Sequence, residues 1–142
     1  MTNESIIEEL NTFLRGTYMG IRSLEHYIQK VDDLEIKRRF QGMQQGIKLD
    51  AQKIAERIQN LSGVPADDEG FSGSIHSYMH KMIIPDDTKE MIEDALKGID
   101  CYGVEYSEEL LKGDLDPESK LIVEEVIEHN RNHVELLRQL LH

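Results

Sequence analysis

The chain has 142 residues, 31% charged and 39% hydrophobic, a balance that suits a folded globular domain and excludes a disordered segment. Its 16 basic and 28 acidic residues leave a net charge of −12, which repels nucleic acid and anionic lipid, so neither is an expected partner. Cys101 is the single cysteine, so no intrachain disulfide can form, and no apolar run approaches the ~20 residues that cross a bilayer.

The opening Met-Thr-Asn-Glu-Ser lacks the basic-then-apolar pattern of a secretory leader, so a cytoplasmic location is the expectation. A first helix is predicted from about Ser5 to Val31, with Ser5 and Glu8 as a capping box. Its apolar stripe is Leu10, Leu14, Thr17, Ile21, Leu24 and Ile28. Asp32-Asp33 breaks the pattern and starts a second helix carrying Ile36, Phe40, Met43, Ile47, Ile54, Ile58 and Leu61, which Gly63 and Pro65 end. Asp50 interrupts that stripe between Ile47 and Ile54. The connection from Ser62 to about Asp86 is too long for a structureless loop in a compact domain, so a short helix is predicted over Ser72 to Met82. A third helix starts at Asp87, carries Ile92, Ala95, Ile99, Tyr106 and Leu110, and stops at Gly113. Asp116-Pro117 supplies an N-cap and a first-turn proline for the fourth. The fourth stripe reads Ile122, Val126, His129, His133, Leu137 and Leu140.

Loop lengths set the topology. Helices one and two are joined tightly and must be antiparallel neighbours, as must three and four. The long middle connection can run the length of the bundle. The predicted fold is therefore all-α: a four-helix bundle of two antiparallel hairpins joined by a long crossover, as a single domain over residues 1–142.

The histidines and Asp50 are the chemical feature of this pattern, because a polar side chain buried without a partner costs roughly 1–3 kcal/mol. Asp50, His129 and His133 can face one another across helices two and four. Glu25, about 60° off the stripe of helix one, can reach toward them. Two imidazoles one turn apart with one or two carboxylates suit a divalent cation such as iron, manganese or zinc. The plainer alternative is a hydrogen-bonded polar layer in which Asp50 accepts from a histidine. His76 and His80 form a second pair at the same spacing. Tyr102, Gly103 and Tyr106 are predicted on the core side of helix three, with Gly103 permitting close helix approach and Cys101 on the opposite side. The small residues Thr17, Ala51 and Gly103 leave room for a small-molecule pocket. There is no Gly-rich phosphate loop, nucleophile elbow or Cys-x-x-Cys, so no catalytic residue is assigned.

Phe40-Gln-Gly-Met in helix two, the Leu61-Ser-Gly-Val-Pro65 exit and Gly73-Ser-Ile-His76 in the crossover carry a family resemblance. The chain resembles the ferritin-like superfamily over nearly its whole length, and more narrowly a bacterial branch known only as a domain of unknown function. It departs from that branch at Ser77-Tyr-Met-His80, where a tryptophan is usual. Metal-binding ferritin-like proteins place a Glu on each of two helices and a Glu-x-x-His on each of the others. The matching positions here are Gly20, Ile47, Asp50, Ile99, Asn130 and His133, of which only Asp50 and His133 ligate strongly. The resemblance thus implies the fold without the six-ligand di-iron set. It points to a non-enzymatic structural or interaction module, self-associating as a homodimer or larger homo-oligomer and associated with bacterial stress or dormancy. A divalent-metal protein with a reduced site at Glu25, Asp50, His129 and His133 is the alternative.

Overall fold

The computed structural model describes residues 3–68 and 84–142. Helix α1 is Asn3–Lys30 and α2 is Leu34–Asn60. Helix α3, Thr88–Gly98, runs on through a π-helical segment, Ile99–Glu105, into α4, Tyr106–Leu111. Helix α5 is Pro117–Leu140. The backbone stays helical at both junctions of the α3–π–α4 stretch, which acts as one rod. The described residues therefore build a four-helix bundle and contain no strand. The predicted crossover helix over Ser72 to Met82, with His76 and His80, lies outside the described residues.

Local chemistry starts three of these helices as predicted. Asp33 accepts from the N–H groups of Glu35 and Ile36, Asp87 from Glu90, and Asp116 from Ser119. Each cap satisfies amides the helix leaves free and contributes on the order of 1 kcal/mol. The first helix starts earlier than predicted: α1 is already helical at Asn3, so Ser5 falls within its first turn and not at its N-cap.

The exit from α2 differs instructively from its sequence reading. Gly63 N–H donates to the Ile58 carbonyl and Ser62 N–H to the Gln59 carbonyl, both at 2.9 Å, which is a Schellman motif. The left-handed residue is Ser62, at φ 69°, not Gly63. Gly63 is needed for another reason: a Cβ there would lie 2.8 Å from Cγ2 of Ile7, so glycine lets the turn press against α1. Ser62→Gly is expected to stabilise the protein by about 0.5–1 kcal/mol. It relieves roughly 1–2 kcal/mol of left-handed strain, offset by the greater freedom of an unfolded glycine. A thermal melt checks this, and an unchanged or lowered Tm would show that the Ser62 side chain contributes more than it strains.

The crossover is tied to α1 at both described ends. Asn11 donates to the Val64 carbonyl and accepts from Ala66 N–H, while Lys30 holds the Ile84 carbonyl and pairs with Asp86 at 2.8 Å. These two described ends thus sit toward opposite ends of α1. α1 packs on α2, α5 packs on the α3–π–α4 rod, and the α2–α5 and α1–rod seams close the bundle.

Two apolar clusters fill the interior. One gathers Leu10, Leu14, Ile54, Ile58, Val123 and Ile127; the other gathers Leu24, Tyr27, Phe40, Met43, Met91 and Leu137. In the second, the Tyr27 ring packs 5.6 Å from Phe40, centroid to centroid, and its hydroxyl donates to Asp94. Burial, then that carboxylate, push the Tyr27 pKa up. Half-buried Ile21 and Ile99 touch both clusters. Among the described residues, buried Gln44, Asp50, Ser107, Ser119 and Asn130 are the polar interruptions of this core.

Candidate functional site in the polar belt

Asp50 stands on the face of α2 that meets α5, with its side chain only 4% exposed. Its Oδ1 lies 2.7 Å from Nδ1 of His129, and its buried Oδ2 has no hydrogen-bond partner. Burial pushes the Asp50 pKa up. The His129 hydrogen bond and charge and nearby Lys53 pull it down, Glu125 pushes it up, and the net shift is upward. Further along the seam, Lys53 pairs with Glu125 at 2.6 Å. His133, one turn beyond His129, is half-buried, and its Nε2 is buried without a partner. Burial, then the charge of His129, lower its pKa, which favours the neutral ring. Asp50, His129 and His133 line an open groove of about 240 Å³ together with Gly46, Leu49 and Asn132.

Glu25 does not join them. It is exposed, accepting from Gln44 at 3.1 Å and Gln29 at 3.2 Å, and those bonds, Gln44 first, hold its carboxyl below the usual range. Gln44 also donates to the Ile21 carbonyl, so it ties α2 to α1. Among the described residues, no group of three or more His, Cys, Asp or Glu side chains is gathered closely enough to hold a metal ion.

Two registers differ from their sequence reading. The buried stripe of α5 is Ser119, Val123, Val126, Ile127, Asn130, Val134 and Leu137. His133 therefore lies at the edge of the core and His129, 45% exposed, outside it, both on the α2 seam. The polar residues buried on this helix are instead Ser119 and Asn130. On the rod, the π segment adds a residue to the repeat, and burial passes from Ala95 to Val104 and Ser107. Tyr102 and Tyr106, predicted to face the core, are 61% and 48% exposed. Tyr106 instead borders a cavity of about 190 Å³ with Glu9, Glu109, Leu110 and Gly113. Gly103 does permit close approach as predicted. Its carbonyl accepts from Asn130 Nδ2 at 2.9 Å, and Ser107 Oγ donates to the Tyr102 carbonyl at 3.2 Å. A wide turn leaves carbonyls that an α-helix would pair regularly, and these two side chains take them up. Cys101 is exposed, on the side predicted.

Comparison with known proteins fits this architecture. A family model described as a domain of unknown function, DUF2383, matches residues 5–113. The chain belongs to the DUF2383 family. No functionally curated protein matches it. Among solved structures it is similar to a Dps1 point mutant from Mycobacterium smegmatis, at TM-score 0.84 and 16% identity, covering 99% of this chain and 97% of that one. A two-domain protein from Anabaena variabilis, with DJ-1/ThiJ/PfpI-like and ferritin-like domains, matches at TM-score 0.78 and 23% identity over 99% of this chain. This chain spans 37% of that protein's length. A ferritin-like, diiron-carboxylate protein from Bacillus anthracis matches at TM-score 0.64 and 23% identity over the full length of both. The DUF2383 chain thus has the ferritin-like fold.

The residues of this DUF2383 chain do not fit a two-metal centre. At the positions that match the family's ligand pattern, Ile47 is buried apolar, Ile99 is partly buried apolar and Gly20 has no side chain. The Asn130 amide is spent on the Gly103 carbonyl, and Asp50 accepts from His129. Iron and manganese pairs need bridging carboxylate oxygens, which this belt does not offer.

Proposed function

We propose that this chain is a non-enzymatic ferritin-like bundle that serves as a structural or interaction module. The observation that carries this reading is the Asn130–Gly103 bond: a potential ligand position has become an internal brace. Fold alone confers no chemistry, and the oxidative activity of a di-iron site is not inherited without its ligands. On this reading the Asp50–His129 pair sets helix register. Replacing both with leucine is expected to be neutral or stabilising by about 1–2 kcal/mol, whereas His129→Leu alone leaves a buried carboxylate unpaired and costs about 2–4 kcal/mol. Urea unfolding of the two variants checks this. Equal losses in both would show that the pair does more than satisfy itself.

Self-association is part of the proposal, supported by exposed Leu34, Leu49, Tyr102 and Leu121. Light scattering on the purified chain reads the assembly size directly. No helix among the described residues is long and apolar enough to cross a membrane. A cytoplasmic setting, with a role in stress or dormancy, accords with that and with the family resemblance. The second reading is a divalent-cation protein, favoured by one observation: His129, His133 and Asp50 share a single groove.

A further inference from the structure

The two nitrogens of each imidazole in the α2–α5 groove are not equivalent. An ionised carboxylate oxygen only accepts, so Nδ1 of His129, 2.7 Å from Asp50 Oδ1, carries the ring proton. In the neutral ring, the form that binds a metal ion, the lone pair of His129 is then on Nε2. One helical turn further, Nε2 of His133 has no hydrogen-bond partner. Residues four apart on a helix have Cβ atoms about 5–6 Å apart, so two imidazoles at this spacing can converge on one ion. A carboxylate on the far nitrogen of a ligating histidine fixes the ring and raises its basicity. Lys53, whose charge acts on Asp50, is held by Glu125.

We infer that His129 and His133 form a two-imidazole site for a single late first-row divalent cation, with Asp50 orienting His129 instead of binding the ion. This inference rests on the cation reading above and revises its ligand set, leaving out Glu25 and making Asp50 a positioning residue. Two nitrogen donors, with Asp50 committed to His129, favour nickel, copper or zinc over manganese or iron. The open side of the groove leaves the remaining coordination positions to water.

The test is calorimetric titration of Ni²⁺ into the full chain and its variants, each checked for helicity. One ion per chain should bind and survive in the His76→Ala/His80→Ala double variant. His129→Ala and His133→Ala should each weaken binding more than tenfold, and Asp50→Asn by about 10–100-fold. If alanine at position 129 unfolds the protein, His129→Gln keeps a donor for Asp50 and should still abolish the site. Binding that resists Asp50→Asn would overturn the orienting role while leaving the cation reading standing. Binding unchanged in His133→Ala, or lost with His76 and His80, would overturn the site. No binding at all would remove the cation reading itself.

Discussion

Gly103→Ala is expected to destabilise the protein by about 2–4 kcal/mol, lowering Tm by on the order of 10 °C. The added Cβ would stand 2.9 Å from Asn130 Nδ2 and 3.1 Å from its Cγ, inside contact distance of a buried side chain bonded to the Gly103 carbonyl. Pushing Asn130 away also breaks its bond to the Gly103 carbonyl, leaving a donor and an acceptor unpaired between the rod and α5. Asn130→Ala alone loses that bond and costs less, about 1–3 kcal/mol. The double variant should be more stable than the sum of the singles predicts, because Asn130→Ala removes the atoms with which the new methyl collides. Additive losses would mean that Asn130 does not brace the π segment as described.

Arg57→Ala carries the second large effect, a loss of about 2–3 kcal/mol. The Arg57 side chain is 10% exposed and reaches from α2 to the start of α5, where it meets Asp116 at 2.6 Å, Glu118 at 2.9 Å and Ser119 Oγ at 3.1 Å. Its removal strips one partner from the carboxylate that caps α5. The same contact makes stability depend on pH. Burial raises the Asp116 pKa, but hydrogen bonds from Ser119 and Arg57, with the Arg57 charge, outweigh it and hold the group below its ordinary value. A depressed folded-state pKa gives stability that is fully present above the unfolded carboxylate range and lost as pH falls through the folded value. Wild type should therefore lose more stability between pH 5 and pH 2 than Asp116→Asn does, as urea midpoints across that window would measure. Parallel slopes in the two proteins would remove Asp116 from the acid response.

The helix starts and the topology were legible in the sequence because their causes are local. Asp33, Asp87 and Asp116 cap their own next turns, and the short and long connections permit few arrangements. The registers were less so. α5 offers two competing stripes, one through Ile122, His129 and Leu140 and one through Val123, Ile127 and Val134. Both have helical spacing, and the neighbouring helices decide between them. The π segment left only Gly103 as a hint, and its extra residue turned Tyr102 and Tyr106 outward. The contact of Asp50 with a histidine was readable from a charged residue between Ile47 and Ile54. The exclusion of Glu25 was not, because it depends on Gln44 in the facing helix. The signal for Asn130 was present: an amide in line with Val123, Val126, Val134 and Leu137 needs a buried partner, and a glycine carbonyl across the interface supplies it.

The chain has the ferritin-like fold without the residues for a two-metal centre like that of the diiron-carboxylate protein it resembles in fold. The most direct test is to expose the full-length protein to Fe²⁺ and oxygen, follow oxidation optically, and measure retained iron by elemental analysis after desalting. The bundle described here should hold far less than two irons per chain and oxidise Fe²⁺ no faster than buffer. Two irons retained per chain, with catalysed oxidation abolished by Asp50→Ala, would contradict it.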